Sequence, residues 1–345
     1  MKTDIKSMDT NEIEDWAASL GLKAFQGRQI RHWLFGKLSS SFEDMTDLTK
    51  PIRSLLTEKA NIAPLHNVKT LTSTDGTQKY LFELYDGNLI ESVLIPERDH
   101  FTICISSQAG CAMGCSFCLT ARHGLKRDLR PSEIIEQVIQ VRRAMDNPDH
   151  LTNIVLMGMG EPLANYDAVM KATHTLISEH GMNFSHRKVT LSTCGLVPMI
   201  KKMGKDINVH LAVSLNAADD KTRSFLMPVN RKYPLDSLIS ACKEFPLPNR
   251  RMITFEYILI KGINDRDQDA QSLCTLLKEI RAKINLIPLN PFPGSDMTPP
   301  SRQRILEFQQ ILVKNHFTAI IRKSKGSDIL AACGQLRGKF EGEMD

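Results

Sequence analysis

The sequence predicts an α/β core, a partial barrel or an open sheet, preceded by a small helical module. Two observations carry this. From about residue 100 strand-like apolar segments alternate with helical ones, as right-handed parallel crossovers require. Before residue 65 the apolar residues fall at helical spacings instead. Length agrees: at roughly 150 residues per domain, 345 residues make two domains, or one barrel with an appendage. With 42% hydrophobic and 24% charged residues the composition is ordinary for a globular chain, which excludes whole-chain disorder and a collagen-like fibre.

Residues 1–64 read as the helical accessory domain. Leu20, Leu22 and Phe25, then Ile30, Trp33 and Leu34, then Ile52, Leu55 and Leu56 recur at helical intervals, and Pro51 suits a first helical turn. Residues 65–96 change period. Tyr80, Phe82 and Leu84 alternate with Leu81, Glu83 and Tyr85, while Asp75-Gly76 and Asp86-Gly87 are hairpin dipeptides, so a short antiparallel extension is expected. Residues 97–330 form the core. Its candidate strands are 101–106, 152–157, 188–193, 208–215, 252–260, 283–289 and 317–321. Helices are expected at 132–145, 166–179, 235–244, 267–281 and 301–314. Six or seven such units are too few for a full eight-stranded barrel. Functional groups should gather where the strands end at their C-terminal edge. Residues 331–345 form a tail.

No apolar run approaches the roughly 20 residues a bilayer requires. Met1 to Trp16 is polar and lacks a signal-peptide core, so a cytoplasmic protein with no membrane partner is expected. In a reducing compartment the eight cysteines are metal ligands, catalysts or small buried residues. The net charge of +5 is mild. Two basic groups stand out, Arg122, His123, Lys126, Arg127 and Arg130, and Arg322, Lys323, Lys325, Arg337 and Lys339. They suit phosphates or are solvated loop charge.

The strongest signal is Cys111-Ala-Met-Gly-Cys115-Ser-Phe-Cys118, directly after the first core strand. Thiolates at this spacing wrap a soft metal centre. A zinc site usually takes four ligands in paired knuckles, and no second pair is present. Three thiolates on a cubane cluster leave one iron open, as a catalytic centre needs. Met157-Gly158-Met159-Gly160-Glu161-Pro162 then follows an apolar strand, with glycines exposing backbone and Glu161 able to accept from an ammonium. In Phe101-Thr-Ile-Cys-Ile-Ser106, alternation puts Cys104 with Thr102 and Ser106 on the more polar face. Cys333 lies between alanine and glycine near the C-terminus.

The Cys-x3-Cys-x2-Cys spacing, with aromatic Phe117 before the last cysteine, resembles the signature of radical S-adenosylmethionine (SAM) enzymes. Together with Ser106–Cys111, Met157–Pro162, Met227-Pro-Val-Asn-Arg231, Asn285–Gly294 and Asp328–Leu336, it closely resembles the RlmN family over nearly the whole chain. The resemblance implies a partial (β/α)6 radical SAM barrel and methylation of adenine carbon 2 in 23S rRNA and in tRNA beside the anticodon. It implies a 4Fe–4S cluster on Cys111, Cys115 and Cys118, two SAM molecules per turnover, and an external one-electron donor such as flavodoxin. SAM would be held by Gly160, Glu161, Ser192, Ser214, Leu215, Asn216 and Asn290. Cys333 would carry the methyl group as S-methylcysteine, Glu91 would accept the ring proton, and Cys104 would resolve the adduct through a transient disulfide. Asn216 stands where the family more often has histidine, and Cys194 where serine is common. Cys194, Cys242 and Cys274 read as structural. The competing readings are a Cfr-type carbon-8 methyltransferase, a radical enzyme acting on a small molecule, and a zinc-dependent RNA-binding module.

Overall fold

Residues 2–338 are described by the computed structural model of the chain; Lys339 and the rest of the tail lie outside them. The N-terminal helices are Thr10–Ser19, Ala24–Arg31 and Lys50–Lys59. The first is fixed by a reciprocal cap. Asp9 accepts from the Asn11 and Glu12 amides at 2.8 and 2.9 Å, and Glu12 accepts from the Asp9 amide at 2.8 Å. Ile13, Ala17, Ile30, Leu34, Met45 and Leu56 are buried and supply the module's core. Lys6 locks the module to the barrel. It is fully buried and paired with Glu136 of the helix Pro131–Ala144, whose other oxygen accepts from the Leu65 amide at 3.3 Å. A buried pair of this kind contributes register more than net stability, because desolvation offsets much of its attraction.

One ten-stranded sheet makes the rest, with its strands in sequence order. Three are antiparallel: β1 (His66–Thr72), β2 (Gln78–Glu83) and β3 (Leu89–Pro96). Strand β3 joins antiparallel to β4 (Phe101–Cys104). The parallel series continues through β5 (Leu151–Leu156), β6 (Val189–Thr193), β7 (His210–Ser214), β8 (Ile253–Leu259), β9 (Ala282–Pro288) and β10 (Thr318–Ile321). Every pair from β4 to β10 is parallel. Helices cross over between successive parallel strands, so seven strands and six crossovers form a partial barrel. The sheet core is apolar and β-branched, with Ile103, Ile154, Val189, Val213, Ile253 and Ile284 buried, as a two-sided parallel sheet demands. Among the described residues no helix is long and apolar enough to cross a membrane.

Candidate active site

The loop after β4 holds Cys111, Cys115 and Cys118. Its base is a two-stranded hairpin, Gln108–Gly110 against Leu125–Asp128. Gly110 has φ +80°, and a Cβ there would lie 1.9 Å from the Gly124 carbonyl oxygen, so no other residue fits. Cys111, Cys115 and Cys118 line one cavity together with Gly160, Glu161, Ser192 and Ser214. Burial pushes the Cys111 thiol up to about 11 and raises Cys115 and Cys118 as well. Three desolvated thiols become thiolates together only around positive charge, and an iron–sulfur cluster supplies it. Among the described residues no three His, Cys, Asp or Glu side chains are arranged to hold a single metal ion. The thiols edge a space rather than meet at a point, which suits a cluster and disfavours a zinc knuckle.

Glu161 lines the same cavity. It is 3% exposed, and it has no ion pair among the described residues. Its oxygens accept from the Leu163 amide at 3.0 Å and the Cys194 amide at 2.7 Å. Burial raises its pKa above the usual carboxylate range, against those hydrogen bonds. A buried carboxyl without a cation beside an open cavity fits an ammonium such as that of SAM. Gly160 permits the arrangement. Its φ is +100°, and a Cβ would meet that of Gln108 at 2.6 Å, while Gln108 itself accepts from the Glu161 amide at 2.8 Å.

Ser192 and Ser214, at the ends of β6 and β7, line the same cavity. Three expected SAM contacts do not. Leu215 and Asn216 are fully buried, Leu215 within the main apolar core. Asn216 has φ +60°, accepts from the Ile258 amide at 2.8 Å and donates to the Met227 sulfur at 3.1 Å, so its amide is already committed. Asn290 borders a second, adjoining cavity and donates to the Cys333 carbonyl at 3.1 Å. The residue that organises the strand ends is Arg223. Fully buried, it donates to the carbonyls of Cys194 (2.7 Å), Leu215 (3.0 Å) and Ser214 (3.2 Å) and to Asn230 (2.8 Å). A lone arginine in a short polar helix gives no sequence signal for that role.

Cys333 and Cys104 line both cavities, and both are free thiols. The exposed surface of Cys333 faces the cavities it lines. Burial, and secondly the charge of Glu256, push its thiol up to about 11. Cys104 is raised further, by burial and by the nearby Cys333. The thiolate fraction of Cys333 then grows throughout the neutral range. Its alkylation in the metal-free protein should therefore accelerate about tenfold per pH unit with no plateau near about 8.5, the value for an ordinary thiol. Peptide mass spectrometry against pH checks this, and levelling near that value would show an unperturbed thiol.

Glu91 is placed otherwise than a free proton acceptor. It is 2% exposed, pairs with Lys79 at 3.0 Å, and is not among the residues lining either cavity. The carboxyl that borders both cavities beside Cys333 and Cys104 is Glu256. It is buried, raised by desolvation, and accepts from Asn285 at 3.0 Å. A glutamate within the apolar strand Ile253–Leu259 is the signal that could have found it. The first basic group is partly spent. Arg127 is paired with Asp86 and Glu133, and Arg122 donates to the Gly294 carbonyl at 2.7 Å. The second group is placed differently: Arg322, Lys323 and Lys325 border the adjoining cavity with Arg187, Lys188 and Lys283.

This barrel, with its three-cysteine loop after the first parallel strand and its glycine–glutamate turn after the second, defines a radical SAM protein. Residues 105–274 match the model of the Radical SAM superfamily, and residues 3–62 match the ribosomal RNA large subunit methyltransferase N-terminal domain. The chain is 52% identical over 338 residues to the dual-specificity RNA methyltransferase RlmN of Syntrophus aciditrophicus, covering 98% of this chain and 97% of that one. It is 50% identical over 334 residues to the RlmN of Desulfosudis oleivorans, covering 96% and 90%. A radical SAM methyltransferase from Sphaerobacter thermophilus superposes with a TM-score of 0.92 at 43% identity, covering 98% and 100%. The chain belongs to the RlmN family. That membership brings with it a 4Fe–4S cluster and SAM.

Proposed function

We propose that this protein methylates carbon 2 of adenosine in RNA, acting on 23S rRNA and on tRNA beside the anticodon, in the cytoplasm. The observation that carries this reading is the convergence of two extra thiols, Cys333 and Cys104, on the cavities next to the three-cysteine loop. An adenine ring carbon is a poor nucleophile, so direct methyl transfer from a sulfonium fails, and a thiolate must take the methyl group first.

Cys111, Cys115 and Cys118 would hold the cluster, and Glu161, Ser192 and Ser214 with the Gly160 backbone would hold SAM. When bound, these groups supply a methyl cation equivalent and, after reduction by an external donor such as flavodoxin, a hydrogen-abstracting radical. Cys333 accepts the methyl group on sulfur and presents it to the base. The base enters unstacked, since the thiol sits inside the barrel. Arg187, Lys188, Lys283, Arg322, Lys323 and Lys325 face the RNA phosphates. Forming the carbon–carbon bond at a ring carbon that bears hydrogen requires that carbon to lose a proton and the adduct to lose one electron, which the oxidised cluster would accept; the Cys104 thiolate then attacks the Cys333 sulfur. The bond from that sulfur to the bridging carbon breaks with its electron pair on carbon, a proton completes the methyl group, and a disulfide remains.

The test is chromatography of nucleosides from RNA of cells with and without the gene. The expected product is 2-methyladenosine, present in both rRNA and tRNA and missing from the deletion. A dominant 8-methyladenosine product would instead place the activity with the Cfr type.

A further inference from the structure

The tail that carries Cys333 is held at both ends by one buried ion pair. Lys79 of β2 donates to the Leu330 carbonyl at 3.2 Å, three residues before Cys333. Glu91 of β3, directly bound to Lys79 at 3.0 Å, accepts from the amides of Arg337 at 2.7 Å and Gly338 at 3.2 Å, just after it. One carboxylate oxygen thus faces the ammonium and the other takes two backbone donors, which leaves Glu91 little capacity for a further proton donor. Further contacts settle the same segment. Ser73 donates to Asp328 at 2.6 Å, and the Leu119 amide, one residue past Cys118, donates to the Gly334 carbonyl at 2.7 Å.

We infer that Glu91 and Lys79 form a clamp that positions Cys333, and that Glu91 acts as a positioning residue rather than as the acceptor of the ring proton. The antiparallel strands β1–β3 then have a reason to be attached to the barrel. Bonds to the tail backbone fix where the thiol points, whatever side chains the tail carries. Breaking either half strands a buried charge, so the loop should loosen as a unit. This rests on the reading of Cys333 as the methyl acceptor.

The full-length protein carrying Lys79→Met, Lys79→Arg or Glu91→Gln tests it in three readouts. These are alkylation of Cys333, amide exchange over residues 326–338, and methyl loading of Cys333 from SAM without RNA. With the clamp, Lys79→Met and Glu91→Gln both speed alkylation and tail exchange by about tenfold or more, as loss of one buried partner should. Both lower methyl loading, neither accumulates RNA attached to protein, and Lys79→Arg restores loading. The core thiols Cys242 and Cys274 report folding, and a variant that exposes them is replaced by Lys79→Gln, read in the same way. The inference is overturned if Glu91→Gln leaves tail exchange and loading at the parental rate and accumulates covalent RNA while Lys79→Met does not. Failure of the underlying function reading looks different: the tail loosens as described, but the parent itself loads no methyl group on Cys333.

Discussion

Replacing Cys111, Cys115 or Cys118 with alanine should empty the centre and abolish RNA methylation while the fold persists. The three thiols are the cysteines of the loop, and each is buried enough to remain a neutral thiol unless positive charge sits beside it. Removing one leaves two, too few to retain a cubane against exchange into solution. Anaerobically purified parent protein should carry about four irons and absorb broadly at roughly 400 nm, as thiolate-bound clusters do. Each variant should be pale, with iron near zero. The structural loss is small by comparison, on the order of 1 kcal/mol for a short apolar side chain in a loop at the edge of the sheet. Unchanged far-ultraviolet circular dichroism with no colour and no activity is the expected pattern. Full activity in an iron-free triple variant would remove the radical reading altogether, and stoichiometric zinc in the parent would favour the zinc module.

The barrel was legible because parallel strands buried on both faces leave an unmistakable trace. Runs such as Ile154-Val155-Leu156 recur between helical stretches, and each observed strand lies within a few residues of its expected place. The helix Val197–Asp206 left a weaker trace, since Pro198 and Gly204 interrupt its pattern. The cluster loop was legible for a chemical reason: ligand spacing is local in sequence. What long-range folding decides was not. Asn216 sits at a strand end, which suggests a ligand contact, but its left-handed backbone turns the amide inward to Ile258 and Met227. Glu91 shares a strand face with Val93 and Ile95, which do line the cavity, yet a tail almost 250 residues later folds over it. Arg127 reads as free positive charge until the fold brings Asp86 against it. In each case the residue type and its local element were readable, and the partner that fixed its role was remote.

Cys104→Ala should trap the RNA on the enzyme, and this outcome separates covalent chemistry from a packing role. Cys104 lies on β4 with its thiol bordering the same two cavities as Cys333, close enough that charge on one raises the other. If Cys333 carries the bridging carbon, release requires a second thiol to attack its sulfur, and among the described residues only Cys104 and the three cluster ligands share that space with it apart from Cys194. Cys194 is committed elsewhere: its buried thiol is hydrogen-bonded to the Glu161 carboxyl. The Cys104→Ala protein should therefore load its methyl group, react once, and purify with RNA joined through the peptide containing Cys333. The Cys104→Ala/Cys333→Ala double variant should be free of RNA, and Cys333→Ala alone should bind SAM and keep its iron without turnover. A merely structural Cys104 predicts the reverse, a destabilisation of about 1 kcal/mol with turnover retained. Nuclease digestion followed by peptide mass spectrometry decides between them. Absence of any nucleotide on the Cys333 peptide, in protein prepared under conditions where the parent is active, would defeat the proposed roles of both cysteines.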